Sequence, residues 1–239
     1  MIEIYEQNTK GIDYICSDIH GYFHYLESEL NKVDFNPLCD RLFSLGDLID
    51  RGEQSYLAID WLNKPWFHAI LGNHELMFMD KFEEEPEGEV SDIWQIYGGG
   101  WASELNYQQL KDLFEAFRQL PVAIEINLSD KKQIGLVHAQ LPNVCDWNEV
   151  KSKLQIRDSQ FIMQNIDIML WSKSQANLAE DMAQTIPPVK NIDHVFHGHT
   201  IISHYRTLAN RTFMDLGSYL TGQIALVEPV TFLNGRSRN

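Results

Sequence analysis

The chain has 239 residues, 44% of them hydrophobic and 22% charged, with a formal net charge of −15. That balance excludes a disordered or collagen-like polymer and supplies enough apolar residues for a sizeable core. The acidity argues against a nucleic-acid partner, whose backbone is a polyanion, and no charge-free apolar run reaches membrane-spanning length, so neither nucleic acid nor membrane is expected as a partner. Phosphate substrates stay open, because bound divalent cations can reverse a local field.

Met1-Ile2-Glu3-Ile4-Tyr5-Glu6 has no basic start and no long apolar run, so no secretory signal is expected. Cys16, Cys39 and Cys145 are too sparse for a disulfide framework and read as reduced thiols of a cytoplasmic protein. Short apolar runs then recur at residues 12–16, 41–45, 67–71, 134–137 and 194–196. They stop, in turn, at Ser17-Asp18, Gly46-Asp47, Gly72-Asn73, His138 and His197-Gly198-His199. Each predicts a short buried strand ending in a loop. Between the first three runs, residues 22–33 set Leu26, Leu30 and Val33 at helical spacing, and residues 54–62 carry Leu57, Ile59 and Leu62 before Pro65. The alternation predicts a βαβαβ start with a parallel sheet, whose sites gather beyond the carboxyl ends of its strands.

Residues 81–90 are acidic and read as an exposed loop. Gly98-Gly99-Gly100 is either a flexible turn or a place where backbone approaches a ligand closely. Residues 107–120 are helical in pattern and Pro121 stops them. Residues 212–227 read as two strands around Gly217 and Gly222, a hairpin. There is no internal repeat and no linker, so residues 1–239 are expected to form one domain.

The polar residues at the strand ends are Asp18, His20, Asp47, Asn73, His74, His138 and His199. Each alone is ordinary: an aspartate after a strand usually caps a turn or helix, and a lone histidine is usually surface or satisfied core. The ordered set is not ordinary. Oxygen and imidazole donors without thiolates suit Mn²⁺, Fe or Zn²⁺ better than a structural zinc site. Two neighbouring cations need a shared anionic ligand to offset their repulsion, and a central carboxylate can bridge them.

The stretches Ser17-Asp18-Ile19-His20-Gly21, Gly46-Asp47-Leu48-Ile49-Asp50-Arg51-Gly52 and Gly72-Asn73-His74-Glu75, followed by Val137-His138-Ala139 and Gly198-His199-Thr200, resemble the calcineurin-like metallophosphoesterase superfamily. Within it they resemble the phosphoprotein phosphatase branch, and there the bacteriophage-lambda-type bacterial serine/threonine phosphatases. Pro65-Trp66-Phe67, Gly98-Gly99-Gly100-Trp101 and Trp171-Ser172-Lys173 extend the likeness over nearly the whole chain. The resemblance implies an α/β fold in which helices flank a central β-sandwich. It implies two divalent cations, Mn first and Fe or Zn as alternatives. Asp18 and His20 would hold one, Asp47 would bridge, and Asn73, His138 and His199 would complete the other; His197 would sit behind them or simply end a strand. His74 would be the general acid, oriented by Asp50. Arg51, Asn73 and the residue at Lys173 would bind the phosphoryl group. The family has arginine at the last position, and lysine keeps the charge but loses the planar fork; Arg157 or Arg206 could substitute. The implied reaction is hydrolysis of a phosphate monoester by in-line attack of a hydroxide held between the cations, on a phosphoprotein or phosphopeptide. The alternatives are a symmetrical dinucleoside tetraphosphate hydrolase, whose branch has Gln in the place of His20, and a phosphatase of small metabolites.

Overall fold

The computed structural model describes residues 1–84 and 92–236. Among the described residues, ten strands run in chain order: β1 (Ile2–Tyr5), β2 (Asp13–Cys16), β3 (Arg41–Ser44), β4 (Phe67–Ala69), β5 (Ala123–Asn127), β6 (Gln133–Val137), β7 (His194–His197), β8 (Arg206–Leu208), β9 (Arg211–Phe213) and β10 (Leu226–Val227). The helices are α1 (Phe23–Lys32), α2 (Ala58–Leu62), α3 (Asn73–Glu84), α4 (Asp92–Ile96), α5 (Tyr107–Phe117), α6 (Trp147–Gln155), α7 (Ser159–Trp171), α8 (Glu180–Ala183), α9 (Ser218–Thr221) and α10 (Pro229–Arg236).

The strands form two sheets, one of four in the order β10-β2-β3-β4 and one of six in the order β1-β5-β6-β7-β9-β8. In the first, β2, β3 and β4 are parallel, as the alternating pattern of the first third of the chain requires. Period-two side chains give each sheet two apolar faces. Ile15 and Phe43 of the small sheet pack with Ile124, Ile126, Ile134, Leu136 and Phe196 of the large one, and this is the interior of the sandwich. The opposite face of the small sheet, with Tyr14, Cys16 and Leu42, packs under α1, α2, α3 and α5 through Leu26, Trp61, Phe78 and Phe114. The opposite face of the large sheet, with Val137 and Val195, is covered by Trp147 and Leu154 of α6 and by Met169 and Leu170 of α7. The expected sandwich with flanking helices is therefore present.

Three local expectations change. Residues 81–84 are not loop: α3 continues to Glu84 and buries Lys81, because Phe78 and the adjoining turn pack on the helical layer. The rest of that acidic stretch, residues 85–90, lies outside the described residues. Residues 212–227 are not a hairpin. Gly217 and Gly222 both have φ of 71°, the left-handed region that glycine enters without a Cβ penalty, and they bracket the one-turn helix α9. Beyond it β10 crosses to the other sheet and pairs antiparallel with β2, whereas the hairpin partner of β9 is β8. The helical pattern of residues 54–62 is split between a 3-10 turn over Ser55–Leu57 and α2.

Candidate active site

The residues singled out at strand ends converge. Asp18 and His20 follow β2, Asp47 follows β3, and Asn73 and His74 open α3 just beyond β4. His138 follows β6 and His199 follows β7, across the seam between the sheets. Among the described residues, ten that are not glycine have positive φ, and five of these are His20, Asp47, Asp50, Arg51 and His199. Such backbone costs energy unless its surroundings enforce it, and it concentrates where side chains must be aimed.

Among the described residues, two groups of side chains each bring their ligand atoms within 4.8 Å of one another: His20, Asp47 and His74, and Asp47, His138 and His199. Asp47 belongs to both. Hydrogen bonds assign the tautomers. His20 Nδ1 donates to Ile49 O (3.0 Å), leaving Nε2 as the acceptor, 3.7 Å from Asp47 Oδ2. His138 Nδ1 donates to Leu45 O (2.6 Å), and its Nε2 lies 2.9 Å from Asn73 Oδ1 and 3.4 Å from Asp47 Oδ1. His199 Nε2 donates to Trp171 O (3.0 Å), leaving Nδ1 with its lone pair. Each ring is thus held through one nitrogen by a backbone carbonyl, the arrangement that orients metal-binding histidines.

The field of the cluster is negative. Burial alone would lower the pKa of His138, but Asp47 and then Asp18 outweigh it and push it up to about 10. Burial likewise opposes ionisation of Asp47, yet His138 and His74 hold it well below the usual carboxylate range. Burial, then the Asp215 carboxylate, raises Asp18 well above that range. Burial, then the charge of His138, pushes His199 down to about 3. A buried carboxylate set that draws protons onto a histidine is a set that divalent cations would satisfy, and the donors fit such ions.

Asp18 falls in neither group. Both its carboxylate oxygens accept the backbone N–H of His199, at 3.1 and 2.9 Å, and Gly198 makes room, since a Cβ there would collide with Oδ1. His74, expected outside the metal ligands, enters the first group through Nε2, 4.0 Å from Asp47 Oδ2. Its Nδ1 donates to Asp50 Oδ2 (2.6 Å). Arg51 donates to His20 Nε2 (2.6 Å) and to His74 Nε2 (3.2 Å). Lys173 is exposed on the loop after α7, where its charge contributes to lowering the pKa of His199. Arg206 directs its guanidinium to Ala176 O and Leu178 O, and Arg157 sits with Met1 and Leu120 in a separate cavity, so neither replaces the arginine fork missing at 173. His197 ends β7, fully buried, with Nδ1 donating to Val137 O. Cys16 and Cys145 are buried free thiols whose pKa burial raises to about 12 and about 11.

The sequence reading assigned no role to several residues that shape this site. Asp50 accepts Trp94 Nε1–H (2.9 Å) and Trp101 Nε1–H (2.8 Å). Gly98, φ 102°, brings its carbonyl to the Arg51 N–H at 3.0 Å and leaves no space for a Cβ, so the first glycine of the run serves close approach to Arg51, whereas Gly99 lies against the Trp94 ring. The Glu75 carboxylate accepts the N–H groups of Asp47, Leu48, Ile49 and Gly72, at 3.0, 2.7, 3.3 and 3.0 Å. Those donors do not overcome burial and the nearby Asp47 charge, which push Glu75 up to about 7. Glu75 stood in a quoted motif, and its spacing from Asn73 was the signal available. Nothing in the sequence pattern marked Tyr219, whose ring lies under Arg51.

Comparison with known proteins agrees with this geometry. The profile of the calcineurin-like phosphoesterases matches residues 14–203. The chain belongs to this family. Serine/threonine-protein phosphatase 2 of Salmonella typhimurium is 32% identical over 215 residues, covering 89% of this chain and 90% of that protein. A symmetrical bis(5'-nucleosyl)-tetraphosphatase of a Shewanella species is 30% identical over 131 residues, covering 54% of this chain and 44% of the relative. A solved protein serine/threonine phosphatase of Saccharomyces cerevisiae shares the fold with a TM-score of 0.60 at 19% identity, covering 95% of this chain and 76% of that one. As a family member the chain is a phosphoester hydrolase with residues suited to divalent metals. Among the described residues no helix is long and apolar enough to cross a membrane.

Proposed function

We propose that this chain is a protein phosphatase that removes phosphoryl groups from serine or threonine in phosphoproteins, as one catalytic domain spanning residues 1–239. The observation that carries the reading is the His74–Asp50 pair beside the two metal-type groups that share Asp47. The likeness to serine/threonine phosphatases along 89% of the chain, against 54% for the tetraphosphatase, supports the substrate class.

In this reading His20 and Asp18 would hold one cation, Asn73, His138 and His199 the other, and Asp47 would serve both, with Mn²⁺ the first choice of metal. Bound together, two such ions polarise a phosphoryl group and make water acidic enough to attack it near neutral pH. The protein's own groups do the rest. Arg51, already reaching both His20 and His74, grips phosphoryl oxygens with its planar fork. Asn73 and Lys173 would add a carboxamide and a positive charge to phosphoryl binding. As general acid His74 would hold a proton on Nε2, the nitrogen that faces Arg51 until Arg51 turns to the phosphoryl group, and pass it to the departing alkoxide. Asp50 stabilises the charged ring through Nδ1, and the two tryptophan N–H groups keep that carboxylate aimed. Three unpaired cysteines support a cytoplasmic location.

The test is phosphate release by the Mn²⁺-loaded protein from a phosphoserine and phosphothreonine peptide panel beside diadenosine tetraphosphate. Higher kcat/KM on peptides is expected. Faster cleavage of the dinucleotide would replace this reading with the anhydride hydrolase that its tetraphosphatase relatives represent.

A further inference from the structure

Arg51 is held in an unusual way. Its backbone takes φ of 71° and donates to Gly98 O at 3.0 Å, which fixes where the side chain leaves the chain. Its Cζ then lies 4.0 Å from the centroid of the Tyr219 ring. The same ring meets His20 edge-on, with centroids 5.4 Å apart and planes at 89°. Tyr219 belongs to α9, the turn bracketed by Gly217 and Gly222. That turn is tied to the site at two points: Asp215 Oδ1 accepts the Gly217 N–H at 2.8 Å, and Ser218 Oγ donates to Ile19 O, beside His20, at 3.2 Å. The ring is therefore anchored to the loop that carries His20.

The chain has more need of this than a relative with a second arginine at position 173. Lys173 is exposed and offers a point charge without a fork. Arg206 directs its guanidinium to backbone carbonyls, and Arg211 directs its own to backbone carbonyls and Gln175 Oε1. Among the described residues, Arg51 is the guanidinium that touches the histidines of the first cluster. A free arginine side chain loses much rotamer freedom on binding an oxyanion, and ordering it beforehand removes that cost. An aromatic face against a guanidinium does this without using any of its N–H groups, which here point at His20 and His74 and can turn to a phosphoryl group that arrives between them.

We propose that Tyr219 is a positioning residue for phosphoryl recognition, holding the Arg51 guanidinium through its ring face. This rests on the phosphatase reading above, in which Arg51 binds the phosphoryl oxygens. The role belongs to the ring and not to the hydroxyl, so Tyr219→Phe keeps it and Tyr219→Leu loses it.

The experiment is a double-mutant cycle on the full Mn²⁺-loaded chain, with inorganic phosphate as the probe. It is read both as competitive inhibition of p-nitrophenyl phosphate hydrolysis and as direct binding by calorimetry. Tyr219→Leu is expected to weaken phosphate binding about tenfold and to raise KM more than it lowers kcat, the scale of a partly desolvated cation–π contact. Tyr219→Phe should restore binding to within about twofold of the parent on the same scale. In an Arg51→Ala background, Tyr219→Leu should add less than about twofold, because its partner is gone. Full additivity in that background, or unchanged binding in Tyr219→Leu, overturns the proposal. If Tyr219→Leu proves unstable, the Phe variant decides: a tenfold loss there assigns the effect to the hydroxyl and rejects the ring-face role. The underlying reading fails in a different way, through Arg51→Ala alone leaving phosphate binding unchanged.

Discussion

The two ligand groups that share Asp47 are assembled differently. His20, Asp47 and His74 all follow parallel strands of the four-stranded sheet, so their spacing is set within one βαβαβ unit. His138 and His199 follow strands of the six-stranded sheet and meet Asp47 only because the sandwich closes. The first group is held by local devices: left-handed backbone at His20, Asp47, Asp50 and Arg51, and the Glu75 carboxylate collecting four N–H groups. The second is held by bonds across the seam, His138 to Leu45 O and the His199 N–H to Asp18. Local turn chemistry therefore protects one half of the site, and sheet packing protects the other.

That contrast can be broken or sharpened by substitution. The largest effect belongs to Asp47→Asn, which removes the charge common to both groups: turnover of p-nitrophenyl phosphate should disappear, and turnover near the parent level would refute a shared role. Next comes His74→Asn, confined to the first group. It should lower kcat by about 10²–10⁴-fold on an ester with a poor leaving group, the scale of general acid catalysis, while bound metal measured by elemental analysis stays unchanged. Loss of metal in that variant would instead make His74 a ligand. Gly198→Ala strikes the seam, because its Cβ collides with the Asp18 carboxylate that holds the His199 N–H. Because Asp18 is also the proposed ligand of the first ion, metal should be weakened at both sites, with activity falling about 10–100-fold, as for other disturbed ligand supports. Two retained ions would show that the seam bond is dispensable.

The smallest effect is on pH dependence, and it belongs to His138. Burial lowers the pKa of His20, whereas the carboxylates around His138 raise it to about 10. A histidine whose folded pKa is raised contributes stability fully present below its unfolded value near 6.5 and lost as pH climbs through the folded value. The metal-free protein should therefore melt at progressively lower temperature between pH 7 and pH 10, and His138→Asn should flatten that slope. An unchanged slope in the variant would mean that another group carries it.

The parts of this molecule that were legible in the sequence are those with strong local periodicity. Strands β2, β3 and β4 announced themselves because buried parallel strands are continuous apolar runs, and each ended in ligand-type residues. The same pattern found His138 and His199, although which sheet they joined was not readable, because pairing is a long-range matter. The α9 turn was missed since a one-turn helix between two glycines has no period to detect, and Tyr219 was missed with it. Trp94 and Trp101 carried no expected role in the site. Their N–H bonds to Asp50 depend on α4 and the following 3-10 turn folding back over the motif loop, a placement set by tertiary contacts alone. Lys173 lies exposed beside the site, and Arg157 and Arg206 are occupied elsewhere.

The central claim is that one carboxylate serves two cations at the junction of the sheets. It is tested most directly by the Mn²⁺ stoichiometry of the unmodified chain, measured by equilibrium dialysis and elemental analysis. The account predicts two ions per chain at saturation, with Asp47→Asn retaining at most one. Saturation at a single ion, or two ions held undiminished by Asp47→Asn, would contradict it.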